Sequence, residues 1–291
     1  YALAVSGPVR KVLQALARIP KSNGGAAALI ALAAAVAAYL NWGLGLIVGA
    51  MLVKEVAKEG HRKGLALHYP LLGAAGYVGL AVWHQGFSGS VPLLIATKGH
   101  FLEKEIGIIP IQQTLFSPMN LVLLVVMVAF MPVVVRAMAP RPGEEVVAAP
   151  PEVLREEPPA PPPAHQTLAE KLENSVWLSL LIGLAGLVYI VYWFKTKGLN
   201  LDINIVNFIF LTVGILLHKT PASYLKAVAE GTKGCAGIIL QFPFYAGIMG
   251  MMKYSGLVTV IAGWFVAISS AATYPIWTYL SACIAGILLD G

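Results

Sequence analysis

The run Gly86-Phe87-Ser88-Gly89-Ser90 interrupts an otherwise apolar stretch, residues 70–97, with small and hydroxylated side chains. Hydrocarbon tolerates opened backbone only where protein or a polar cavity covers it. Two glycines, two serines and the nearby Pro92 therefore predict an unwound helix with free amide and hydroxyl groups at membrane depth, an arrangement suited to holding a small anion. A short carboxylate needs several donors and a small apolar wall. Lys and Arg are expensive at that depth, and none occurs in residues 64–97 or between Lys197 and Lys219. The expected donors are backbone amides at half-helix ends with Asn41, Ser88, Ser90 and Thr97, while Trp42, Phe87 and Val91 line an alkyl pocket. For each hydroxyl the competing reading is a bond back to its own helix. Gln241 and Pro243, a polar residue and a helix breaker in another apolar window, are either a second contributor or a simple proline kink.

A second interruption must position the first. One helix over residues 24–53 would be about 45 Å long, and it would put two basic clusters on opposite faces: Arg10, Lys11, Arg18 and Lys21, then Lys54, Lys58, Arg62 and Lys63. A hairpin turning at Asn41-Trp42-Gly43-Leu44-Gly45 brings both clusters to the cytoplasmic side. Gly43, Gly45 and Asn41 also accept positive φ more readily than other residues. The competing reading is a single tilted and kinked span.

Composition sets the class. Of 291 residues, 58% are hydrophobic and 12% charged, too little polar material to cover a water-soluble domain, so an all-α integral membrane protein is expected. Apolar windows near the ~20 residues of a membrane span fall at 24–53, 70–97, 118–139, 175–194, 203–217, 234–252 and 256–289, the last parted near Ser269–Thr273. The net charge of +6 lies in short loops and reads as topology rather than as a nucleic-acid patch. Cys235 and Cys283 stand in apolar sequence and are expected to be buried, inert thiols. Residues 140–168 hold nine of the nineteen prolines and five Glu against two Arg, the composition of a solvated, extended linker. The expected organisation is thus residues 1–139 as a first membrane repeat (hairpin near 26–57, broken helix 70–97), residues 140–168 as the linker, and residues 169–291 as a second, truncated repeat. Tyr1-Ala2 with Ser6-Gly7 and Tyr245-Ala246 with Ser255-Gly256 are the sequence echo between the halves. The opening YALAVSG has neither Met nor charged leader, so the chain is expected to be a fragment.

No HExxH, GxSxG or Walker-type loop occurs, which leaves hydrolytic and phosphoryl chemistry without its usual parts. His84, beside the break, suits either proton transfer to a co-transported acid or an interior hydrogen bond. His61, His68 and His100 are expected to be solvated near membrane edges, and Glu103 and Glu105 around Lys104 to form a solvated face.

The phrases NWGLGLIVGAMLVKEVAK, YPLLGAAGYVGLAVWHQGFSGSVPLLIAT, GHFLEKEIGIIPIQQTLFS, NIVNFIFLTVGILLHKTP and GCAGIILQFPFYAGIMGMM together resemble the bacterial short-chain fatty acid transporter family. The resemblance implies two inverted repeats, each with a re-entrant hairpin and a broken helix meeting at the substrate. The pair at Asn41 and Gly86 would be the first repeat's. It implies further sequence before Tyr1 and after Gly291, including an NxxxPSGGG-like turn where this chain reads Ala285-Gly286-Ile287-Leu288-Leu289-Asp290-Gly291. The implied activity is secondary active transport of acetate, butyrate or acetoacetate across the bacterial inner membrane, without a cofactor, with H⁺ or Na⁺ as coupling ion. Expected partners are the monocarboxylate and the bilayer, with a homodimer as one expected assembly and no nucleic acid. The substrate-binding set is Asn41, Trp42, Gly43, Gly45, Gly86, Phe87, Ser88, Gly89, Ser90 and Thr97, with Gln241 and Pro243 from the second repeat and no metal ligand. The alternatives are a carrier of dicarboxylates or another organic anion, and, further off, a membrane scaffold or an embedded enzyme.

Overall fold

The computed structural model describes residues 1–100, 103–141, 143–155, 167–198 and 201–290, and every regular element among them is helical. Two compact units result, Tyr1–Val228 and Ala229–Gly291. The repeat boundary expected within 140–168 is a matter of internal symmetry, not of this division by packing.

In the first unit, α1 (Gly7–Ala17) is amphipathic and precedes the Ala-rich α2 (Asn23–Leu40). Alanine is the best helix former, and Ser22 starts α2 by accepting the Gly25 amide at 3.2 Å. Asn41 stops it. Its backbone is extended (φ −161°, ψ 132°), its amide donates to the Ala37 carbonyl at 3.0 Å, and its Oδ1 accepts the Leu44 amide at 3.1 Å. One residue thus ends α2 and N-caps α3 (Trp42–Arg62). The turn uses the capping side chain of Asn41 rather than the positive φ expected here, since none of residues 41–45 has positive φ.

The two helices run antiparallel. Asn23, at the start of α2, donates from Nδ2 to the Ala66 carbonyl at 2.8 Å, and Lys63, just past α3, donates from Nζ to the Arg18 carbonyl at 2.6 Å. Small residues set the spacing: a Cβ on Gly45 would lie 2.4 Å from that of Ala38, and one on Gly49 would lie 2.3 Å from the Gly76 carbonyl of α4 (Tyr69–Tyr77). In lipid, such close backbone approach supplies the dispersion contacts that hold helices together. Ile30, Leu52 and Leu72 are fully buried between them. After the break comes the short α5 (Ser90–Ile95), then α6 (Pro118–Ala137), capped by Ser117 and long and apolar enough to cross a membrane, as is α2.

The same holds for α7 (Val176–Lys197), which packs on α8 (Ile203–His218) through a face of Ser179, Gly183 and Gly186. A Cβ on Gly183 would meet the Leu216 side chain at 2.2 Å, and one on Gly186 the Thr212 hydroxyl at 2.6 Å. α9 (Pro221–Lys233) follows. The second unit holds α10 (Ala236–Tyr254), α11 (Leu257–Ile268) and α12 (Tyr274–Asp290). Helices α11 and α12 are parted where Ser270 donates its amide to the Thr273 hydroxyl at 2.9 Å and accepts the Thr273 amide at 3.3 Å.

Several expectations are corrected. Cys235 and Cys283 are exposed, because Cys235 sits in the turn between Lys233 and Ala236 and Cys283 lies on a helix whose described side chains are mostly exposed. His100 is buried, 8% exposed, with Nε2 3.0 Å from the Gly107 carbonyl. His68 is half-buried and accepts the Val147 amide at Nδ1, 3.1 Å, while the Tyr69 amide donates to the Val147 carbonyl at 2.8 Å. These bonds and the turn of helix Pro151–Leu154 lay residues 143–155 of the proline-rich segment on α3. Residues 142 and 156–166 of that segment, and Gly291, lie outside the described residues, as do the side chains of Glu105 and of residues 284–290. Glu103 accepts the Gly99 amide rather than standing free in solvent.

Candidate functional site

The break is a graded loss of helix. Beyond Tyr77 the chain tightens into 3₁₀ turns at Val78–Ala81 and Trp83–Gln85, then opens at Gly86 (φ −110°, ψ −173°). Gly79, Gly86 and Gly89 are poor helix formers, and 3₁₀ geometry is the usual way a helix end tightens. Helix resumes at Ser90, with Pro92 in the first turn, where a missing amide costs nothing.

Backbone groups left unpaired by the Asn41 turn are met by this opened segment. The Tyr39 carbonyl accepts the Phe87 amide at 2.9 Å, and the Trp42 amide donates to Ser88 Oγ at 2.8 Å. These are a terminal carbonyl of α2 and a first-turn donor of α3, groups that a helix cannot satisfy within itself. Gly86 makes the approach feasible, since a Cβ there would sit 2.0 Å from the Tyr39 carbonyl oxygen. Gly89 is likewise pressed against the His84 carbonyl, 2.5 Å from a Cβ.

Donors remain at this junction. Ser88 Oγ accepts from Trp42 and keeps its own proton to give; Asn41 uses Oδ1 for the cap and keeps Nδ2. In the first turn of α3, Trp42 and Leu44 have partners outside the helix ladder, and among the described residues no side chain accepts the Gly43 amide. Aromatic rings surround the place: Tyr39 and Phe87 at 5.1 Å, Trp42 and Trp83 at 6.1 Å, Phe87 and Phe116 at 6.0 Å, with His84 3.6 Å from Trp83. Trp42 is 37% exposed.

Other expected residues stand apart from this cluster. Thr97, two residues past the end of α5, donates its hydroxyl to the Leu93 carbonyl at 2.7 Å, a bond back to the helix it follows. Ser90 and Val91 are exposed, and Gly45 serves the packing of α2 on α3. Gln241 and Pro243 lie in the second unit, in α10, which is helical throughout. No group of three or more His, Cys, Asp or Glu gathers as a metal site among the described residues.

Two residues were missed in the sequence. Gln85 has a buried side-chain oxygen, Oε1, without a partner among the described residues, and its backbone carbonyl accepts Asn120 Nδ2 at 3.0 Å. Asn120 also donates to the Leu115 carbonyl at 2.8 Å, so it pins the break to the start of α6. A Gln directly before Gly86 in apolar sequence was a readable signal. Asn120, thirty-five residues away, gave none.

Residues 1–290 match the family model described as "Short chain fatty acid transporter". The chain is 40% identical over 285 residues to an Escherichia coli (strain K12) protein named "Putative short-chain fatty acid transporter", an alignment covering 98% of this chain and 64% of that protein. A Haemophilus influenzae protein of the same name is 39% identical over 288 residues, with 96% and 64% covered. The chain therefore spans just under two thirds of the length of these relatives. No solved structure matches it.

Proposed function

The chain belongs to the short-chain fatty acid transporter family, and on that premise we propose that it forms the substrate-holding part of a secondary carrier for acetate, butyrate or acetoacetate, driven by H⁺ or Na⁺ across the bacterial cytoplasmic membrane. The observation that carries the reading is the Trp42 amide bound to Ser88 Oγ at 2.8 Å, which joins the two interrupted segments and leaves the Ser88 proton, Asn41 Nδ2 and the Gly43 amide for one carboxylate. Gly43 stands in the first turn of a 21-residue helix, where the aligned peptide dipoles favour an anion. The alkyl stub of the substrate rests on Trp42 and Phe87.

Magnitudes agree with a carrier's needs. A hydrogen bond to a charged group contributes about 1.5–3 kcal/mol, so three such bonds, less the cost of ordering the ligand, support an affinity near the millimolar range, about 4 kcal/mol. Such a site holds and releases. A dicarboxylate would need a second donor cluster or a fixed cation, and residues 64–97 contain no Lys or Arg. They contain no Asp or Glu either, which favours Na⁺, or a proton carried on the acid itself, over a carboxylate relay.

The test is uptake of labelled butyrate by proteoliposomes containing the complete protein, with Na⁺ and pH gradients imposed separately. Ser88→Ala with Ser90→Ala should lower uptake at least about tenfold, the loss of one charge-assisted bond, with insertion unchanged. Unaltered kinetics would remove the opened segment from the substrate path.

A further inference from the structure

At the far end of the α2–α3 hairpin from Asn41, α1 and the last turns of α3 enclose a polar cleft of about 260 Å³, lined among others by Arg10, Gln14, Arg18, Glu55, Lys58 and Arg62. Arg10, Gln14 and Arg18 are four residues apart along α1 and its end, so they share one face, as do Lys58 and Arg62 on α3. Glu59, also in the lining, pairs with Arg62 at 3.6 Å and with Lys63 at 3.4 Å. Among the described residues no carboxylate lies within ion-pair distance of Arg10, Arg18 or Lys58. Four cations against two carboxylates, Glu55 and Glu59, leave the lining two charges positive.

The surroundings say what compensates that charge. Lys11, Lys21, Lys54 and Lys63 lie at the same end of the hairpin, and a Lys/Arg excess marks the cytoplasmic surface. On the side of α1 away from the arginines Val12 is 58% exposed, and Ile19, just past the end of α1, is 59% exposed. An amphipathic helix with basic and apolar stripes lies at the headgroup level of a bilayer. The cleft is therefore at the depth of lipid phosphates.

We propose that this cleft seats the phosphodiester group of an anionic phospholipid in the cytoplasmic leaflet. Arg10 and Arg18 offer planar donor forks to the phosphate oxygens, Lys58 adds a point charge, and Gln14 a neutral donor. Basic pockets beside membrane helices on this side take such headgroups. The proposal rests on the membrane fold and is independent of the substrate.

The test measures thermal stabilisation of the complete protein in detergent by phosphatidylglycerol, phosphatidylcholine or inorganic phosphate, each added alone. Wild type should be stabilised by phosphatidylglycerol well beyond phosphatidylcholine, and inorganic phosphate at equal concentration should do little. Arg10→Ala with Arg18→Ala should abolish the preference, whereas Lys195→Ala with Lys197→Ala, which removes two charges at the end of α7, should keep it. If the alanine pair fails to fold, Arg10→Lys with Arg18→Lys, which keeps the charge but not the fork, should at least halve the preference. An unchanged preference in the arginine variants, an equal loss in the Lys195 and Lys197 variant, or equal stabilisation by inorganic phosphate would overturn the lipid site.

Discussion

Asn41 carries two tasks on one side chain, and chemistry can separate them. Its Oδ1 caps α3 by accepting the Leu44 amide at 3.1 Å, while Nδ2 stays available. Asn41→Ser keeps an acceptor for the cap, and Ser is as good an N-cap as Asn; it adds no charge at membrane depth but removes the Nδ2 donor. The expected outcome is thermal stability within about 1 kcal/mol of wild type with uptake lowered. Stability and uptake falling together would show that Asn41 serves only the turn. Asn41 and Ser88 were legible as candidates because polar residues among glycines in apolar sequence are costly unless used. The commitment of Thr97 to the Leu93 carbonyl was not, since a threonine near a helix end reads the same whether it bonds backward or outward.

At the scale of elements, the junction depends on how closely opened segment and hairpin approach. Gly86→Ala would put a methyl 2.0 Å from the Tyr39 carbonyl oxygen, and backbone cannot yield as a flexible side chain does. Overpacking of this kind costs about 1–3 kcal/mol. A lowered melting temperature with uptake lost is expected, and wild-type values for both would show that the Tyr39–Phe87 bond does not hold the site. Gly49→Val, whose Cβ would meet the Gly76 carbonyl at 2.3 Å, should lower stability as well, by separating α3 from α4. The interruptions were readable because Gly, Pro and Asn act locally. Their pairing was not: Trp42 and Ser88 are forty-six residues apart, and nothing in either neighbourhood names the other.

For the whole molecule, the hairpin dictates sidedness. Lys21 precedes α2 and His61 ends α3, and both are exposed. In a background with every cysteine of the complete protein replaced by Ser, Cys235 and Cys283 included, single cysteines at Lys21→Cys and His61→Cys should both react with an impermeant maleimide in inverted vesicles, and neither in right-side-out vesicles. Labelling from opposite sides would mean that residues 23–62 cross as one span, and the Asn41 turn would then be wrong. The cationic cleft between α1 and α3 belongs to this scale too, since it exists only because the fold-back gathers two basic stretches at one end.

The amino-acid sequence alone determined the membrane class, the apolar windows, the interruptions at Asn41 and Gly86 and the gap at Ser269–Thr273, because each follows from hydropathy or from residues that disfavour helix within a few positions. Tertiary structure decided which orphaned backbone group meets which, that Gln85 carries a buried unpartnered oxygen, that His100 is buried, and that Val147 is held by His68 and Tyr69. Those outcomes depend on contacts between segments far apart in the chain, whose energies arise only once both segments are in place.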